Sequence, residues 1–153
     1  MKRAVAVVVV IAASFLAYRY YERSYAPVSH YKKFAEEILQ RRYDAAAAMT
    51  DGIGAHDLEQ QGSQEHIGAG PAMFQTLFPS LYNIESKEVA NDGTVTLHAV
   101  QTVRFNPVGV ESATRPAMFA TLRQTVSLRK TSSGWKVTSF ENKFLAMDSL
   151  GSR

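Results

Sequence analysis

The stretch VANDGTVTLHAVQTVRF, residues 89–105, decides how this chain is read. Asn91-Asp92-Gly93 is a tight-turn signal, because the residues that tolerate a left-handed backbone are grouped there. Beyond it the apolar residues recur with period two. Val95, Leu97, Ala99 and Val103 share one face, and His98, Val100, Thr102 and Arg104 share the other. That alternation predicts a strand with one covered face. YNIESKEVA, residues 82–90, is the first arm of the hairpin. AMFATLRQTVSLRK, residues 117–130, keeps Met118, Ala120, Leu122, Val126 and Leu128 in phase as the next strand. Between them PVGVESATRP reads as a long loop flanked by prolines. Thr131-Ser132-Ser133-Gly134 turns the chain, and WKVTSFENKFL closes an antiparallel meander.

Upstream the period changes to that of a helix. Ser29 is the expected N-cap of one helix through SHYKKFAEEILQRRYDAAAAMTDG, stopped by Asp51-Gly52, with Tyr31, Phe34, Ala35, Ile38, Leu39, Ala46 and Met49 facing a core. Tyr43 is expected at the core, with a pocket position as the alternative. Residues 52–70 are polar and glycine-rich, a loop with room for a short helix around His56 to Gln61. Pro71 is expected to open a second clear helix, PAMFQTLFPSLY, ended by Pro79. Helices first and a meander after them predict an α+β fold with the helices on one sheet face.

The N-terminus sets the compartment. Residues 4–18 are apolar apart from Ser14, and Tyr18, Tyr20 and Tyr21 follow with Arg19 and Arg23. The run is slightly short for a membrane span and slightly long for a signal-peptide core. No well-formed small-x-small cleavage site followed by a small polar residue comes after the run, and the tyrosine-arginine border resembles a membrane interface. A retained signal-anchor is therefore expected over residues 1–23, its apolar contacts made by Ala4, Val5, Val7, Val8, Val9, Val10, Ile11, Phe15, Leu16 and Tyr18. The alternative is a leader cut after Ala13 or Ala17. Residues 24–28 are expected to be a linker, 29–147 the folded domain, and 148–153 a flexible tail. The short N-terminal tail is expected to stay inside, which puts the domain outside the cytoplasmic membrane as a single-pass, extracytoplasmic protein.

Charge supports this. Lys2, Arg3, Arg19 and Arg23 against Glu22 account for the whole net charge of +3, so the rest of the chain is neutral. A nucleic-acid binder carries its surplus on the folded domain, so no nucleic-acid partner is expected. The chain has no cysteine, which excludes disulfides and thiolate chemistry.

Three passages carry a family resemblance: FAEEILQRRYDAAAAMTD, VANDGTVTLHAVQTV and TSSGWKVTSFE. Residues 29–145 resemble the NTF2-like superfamily, also called cystatin-like or SnoaL-like. The resemblance implies a curved sheet wrapped on helices as a cone with a pocket at its open end. It implies no single activity, since this fold hosts isomerases, dehydratases, binding domains and assembly modules. Isomerase chemistry of that kind needs a strand carboxylate facing the cone. Thr94 to Phe105 and Ala117 to Lys130 contain none, Glu111 is in a loop, and Glu141 is isolated in the last strand. For a dehydratase-like site His98 and Tyr43 are the catalytic candidates, with Tyr31 and Asp57 as groups that could approach His98. Tyr82, Arg104 and Arg123 are the ligand candidates. His56, Asp57, Glu65 and His66 fit no metal-ligand spacing, and neither metal nor cofactor is expected.

Two functions follow as expectations. The first is a membrane-anchored, non-enzymatic NTF2-like module serving as a subunit or scaffold of an envelope complex. It would contact lipid through its helix and a protein partner or a second copy through its domain. In layout it resembles the inner-membrane assembly components of type IV secretion. The second is a small-molecule binder or SnoaL-like enzyme of isomerase or dehydratase type with an apolar pocket.

Overall fold

The computed structural model describes residues 2–63, 74–109 and 113–149, with side chains described from Val9 onward and omitted at Gly62 and Ser63. Four helices precede four strands. These are α1 (Lys2–Ser24), α2 (Ala26–Leu39), α3 (Tyr43–Ala48), α4 (Ala55–Ser63), β1 (Phe74–Val89), β2 (Val95–Pro107), β3 (Met118–Thr131) and β4 (Gly134–Ser149). The strands form one antiparallel sheet in the order β1-β2-β3-β4. The fold is α+β, as the change of period predicts.

Both hairpin turns lie where the sequence puts them. Gly93 has φ 84° and Gly134 has φ 113°, a backbone that only glycine adopts without cost. The Asp92 carboxylate accepts from the Thr94 N–H at 2.9 Å, and that bond holds its pKa below the usual carboxylate value. A Cβ at Gly93 would meet nothing within 4 Å. Gly93→Ala is therefore expected to lose only the left-handed backbone preference, about 1 kcal/mol, read as a lower urea midpoint through Trp135 fluorescence.

The core lies between α2 and one face of the sheet. Val95, Leu97, Ala99, Gln101, Val103 and Phe105 of β2 are buried, as are Ala120, Leu122, Gln124, Val126 and Leu128 of β3. The two glutamines split the apolar core. On one side Tyr31, Phe34, Ile38, Leu97, Val126 and Phe140 pack together. On the other Leu39, Val103, Phe105, Ala120 and Leu122 form a second cluster. Trp135 packs half-buried against the first. The short helix expected near His56 is α4, which contributes the buried Leu58.

Four expectations are corrected. The single helix from Ser29 is two helices, because Arg41 takes a left-handed backbone (φ 57°) and breaks it between Leu39 and Tyr43. Ser29 is not the N-cap and residues 24–28 are not an open linker, since α2 already begins at Ala26. Tyr25 donates to the Tyr21 carbonyl and Ser29 to the Tyr25 carbonyl, both at 2.9 Å, so helical bonding runs almost unbroken from α1. Pro27 fits because it sits in the first turn of α2. The proline lacks the N–H that would reach Arg23, and the Lys87 ammonium bonds the Arg23 carbonyl instead, lying 3.3 Å from that of Ser24. Lys130 pairs with Glu22 beside it. Two lysines of the sheet thus hold the C-terminal end of α1, the end where a helix favours cations.

The third correction concerns PAMFQTLFPSLY. Residues 71–73 lie outside the described residues, and from Phe74 the chain is strand, not helix. Its apolar residues fit a helical face, but the strand solution buries Ser80 and half-buries Tyr82 and Ile84 in alternation. Pro79, which follows a cis peptide bond, is tolerated because β1 is an edge strand that leaves register with β2 between Leu77 and Leu81. Finally, Asp148 and Ser149 belong to β4 rather than a tail, paired with Phe119 and Met118. Residues 150–153 lie outside the described residues.

Among the described residues no helix is long and apolar enough to cross a membrane. The side chains before Val9 lie outside that description.

Candidate functional site

The features that could carry chemistry gather on the helix side of β1. Helical spacing places Lys32 and Glu36 on one stripe of α2, beside the core positions Tyr31, Ala35 and Ile38. The register slip at Leu77–Leu81 turns the Ser80 N–H toward α2, where Glu36 Oε1 accepts it at 2.6 Å. The Tyr82 hydroxyl donates to the same oxygen at 2.8 Å. Glu36 Oε2 is buried and has no partner. An open groove of about 620 Å³ lies here, lined among others by Lys32, Lys33, Glu36, Ser80, Leu81 and Tyr82.

From the groove a hydrogen-bonded chain crosses the interior of the sheet. Gln101 Nε2 donates to Ser80 Oγ at 3.0 Å and lies 3.1 Å from the Tyr82 hydroxyl. Gln124 Nε2 donates to Gln101 Oε1 at 2.8 Å and to Asn142 Oδ1 at 3.0 Å. Tyr31 donates its hydroxyl to Gln124 Oε1 at 2.6 Å. Burial and the Glu36 carboxylate push both the Tyr82 and Tyr31 phenols well above the usual range, so both stay neutral donors. The belt's polar groups are spent mostly on one another. It specifies how the sheet sits on α2, and it leaves one unused acceptor, Glu36 Oε2.

The residues singled out from sequence do not converge. His98 lies on the outer sheet face, with Nδ1 3.3 Å from Thr125 Oγ1 and Nε2 3.9 Å from Glu88. Tyr43 packs half-buried against the first apolar cluster on the helix side. Tyr31 is committed to Gln124, and Asp57 sits on α4. The sheet lies between His98 and Tyr43, so the structure does not bring these two candidates together. Arg123 is exposed on the outer face, 4.0 Å from Glu85. Arg104 donates to Asn106 at 3.0 Å and lies over the Phe119 ring. Of the ligand candidates only Tyr82 lines the groove. No cluster of metal-ligating side chains occurs among the described residues, and Glu65, His66 and Glu111 lie outside them.

No protein-family model matches the chain, and no curated protein matches it. Among solved structures it is similar to the intermembrane space region of the chloroplast protein ARC6. The identity is 18%, with 78% of this chain and 91% of that chain covered, at a TM-score of 0.44. A likeness of that size supports no functional argument.

Sequence reasoning missed Glu36, Ser80, Gln101, Gln124 and Asn142. Gln101 and Gln124 left a trace, since each is a polar residue at the apolar phase of its strand. Glu36 left none, because its partners Ser80 and Tyr82 lie within a segment whose period reads as helix.

Proposed function

We propose that this protein is a membrane-anchored, non-enzymatic NTF2-like module that serves as a subunit or scaffold of an envelope complex, its domain on the extracytoplasmic side. The observation that carries this reading is the state of α1. Val9, Val10, Ile11, Phe15 and Leu16 are each 58–66% exposed, on every side of the helix. A helix apolar all round, with none of its described side chains packed into the core, needs an apolar solvent. Taken with the five residues before Val9, the apolar sequence reaches from Ala4 to Tyr18. That run rises roughly 22 Å, and about 27 Å if extended to Tyr21, against about 30 Å for a bilayer core. Lys87 and Lys130 tie its far end to the sheet, so the anchor would hold the domain at a fixed pose.

The NTF2-like part of the proposal is supported by helices leading into a long antiparallel meander and by the Gly134-Trp135 hairpin closing it. The non-enzymatic part is supported by the separation of His98 from the tyrosines. Intact mass and alkaline carbonate extraction test the whole. The full-length chain is expected to stay with the membrane pellet, and a variant lacking residues 2–20 to move to the supernatant. A mature protein missing its first 13 or 17 residues and freely soluble would sink the reading.

A second reading, a small-molecule binder, is favoured by one observation. Glu36 lines the groove, and its buried Oε2 is left without a hydrogen-bond partner. Under it, Glu36→Gln would abolish ligand-induced thermal stabilisation that Glu88→Gln leaves intact.

A further inference from the structure

We infer that the bulged edge of β1 is the docking surface for an acidic, apolar-anchored segment of a partner polypeptide. This deepens the assembly reading above and rests on it. Where β1 leaves register with β2, Phe78, Pro79 and Leu81 form a knob on an edge strand, and Phe78 is 45% and Leu81 70% exposed. Hollows lie on both sides of it. One is the Glu36 groove on the helix side. The other, about 310 Å³ on the outer face, is floored by Leu77, Phe119 and Thr102 and edged by Arg104. Pro79 and Leu81 line both hollows, so one ligand chain can straddle the knob.

The charges around the knob choose the ligand. Lys32 and Lys33 edge one hollow and Arg104 the other. Among the described residues none of the three has a carboxylate within 4.0 Å, whereas Arg123 faces Glu85 and Arg129 binds Asp51. Of the acids beside them Glu37 is paired with Arg42, while Glu36, held by the neutral donors of Ser80 and Tyr82, offsets one of the three cations and leaves the rim net positive. An apolar knob inside a rim of net positive charge complements apolar side chains interleaved with carboxylates. Leu81 also stands roughly 20 Å along β1 from Lys87, which holds the end of α1, so the knob is set back from the anchor. That distance favours a polypeptide over a lipid surface.

The test uses the full-length chain in zwitterionic nanodiscs and a fluorescent synthetic peptide alternating Glu with Leu and Phe. The acidic peptide is expected to bind and its Lys-for-Glu counterpart not to. Leu81→Asp should weaken binding about tenfold, as loss of a central apolar anchor does. Arg104→Gln and Lys33→Gln should each weaken it about threefold and flatten its salt dependence. Leu145→Asp, on β4, is the control. Equal binding of the two peptides, or equal effects of Leu81→Asp and Leu145→Asp, would overturn the inference. Leu81 is largely exposed, and an unchanged Trp135 unfolding midpoint certifies each variant. Because the chain has no cysteine, a dye at Phe78→Cys reports the knob alone. A shift of that dye with anionic lipid and no peptide would assign the surface to lipid instead. Carbonate extraction of the same samples reads the anchor separately. A chain that proves soluble is assayed with the same peptides in buffer, so the two failures remain distinct.

Discussion

Gln124→Ala is expected to destabilise the protein by about 3 kcal/mol, seen as a lower urea midpoint through Trp135, the chain's single tryptophan. Gln124 is 1% exposed and serves three partners. It accepts from Tyr31 at 2.6 Å and donates to Gln101 at 2.8 Å and Asn142 at 3.0 Å. Truncation leaves the Tyr31 hydroxyl and the Gln101 carbonyl buried without partners, at roughly 1–3 kcal/mol each before any relaxation. Asn142 loses less, because water reaches it. The Tyr31 hydroxyl cannot escape by ionising, since burial raises its pKa. Tyr31→Phe alone should cost about 1–2 kcal/mol by stranding Gln124 Oε1. The double variant Tyr31→Phe with Gln124→Leu should cost less than the two single changes added, by about 1 kcal/mol, because apolar groups then meet each other. Strict additivity would show that the belt is not a connected unit.

The belt also marks where sequence reasoning reaches its limit. The hairpin at Asn91–Gly93 was legible because turn chemistry is local and its flanks alternate cleanly. The faces of β2 and β3 were legible for the same reason, and Gln101 and Gln124 could have been read as polar intrusions in an apolar phase. What they bond to was not legible, because Tyr31, Ser80 and Asn142 come from three other elements. The segment from Phe74 to Tyr82 misleads for a definite reason. Phe74, Leu77, Phe78 and Leu81 recur at helical spacing, yet Phe78 and Leu81 point outward in the structure, so the apparent apolar face is a strand with a bulge and an exposed knob. The break at Arg41 was invisible because arginine carries no left-handed preference, although Leu39 and Ala46 on its two sides pack into separate clusters. The sheet's sidedness decides the fate of His98. Its strand position was legible, but the neighbours that would make it catalytic lie across the sheet.

Phe34→Ala is expected to have the largest single effect, about 3–5 kcal/mol. Phe34 is fully buried at the centre of α2, and its ring meets Phe140 edge to face, with centroids 5.0 Å apart at 84°. It joins α2 to β4 while Glu36, on the opposite flank, joins α2 to β1. The truncation removes a ring that the surrounding Leu97, Val126 and Phe140 cannot collapse to fill, because they are held by the sheet ladder. Phe34→Leu keeps most of the volume and should cost about 1.5 kcal/mol. The pair Phe34→Ala with Phe140→Ala should show a coupling of roughly 0.5–1.5 kcal/mol from the lost edge-to-face contact. The consequence reaches the docking surface. Lys32, Lys33 and Glu36 all ride on α2, so loosening that helix displaces one rim of the groove while Arg104, on the outer face of β2, stays in place. Phe34→Ala should therefore weaken acidic-peptide binding even where most molecules remain folded, and the loss should exceed that of Lys33→Gln. Peptide affinity unchanged in a folded Phe34→Ala protein would separate the groove from the packing of α2 and contradict the arrangement described above.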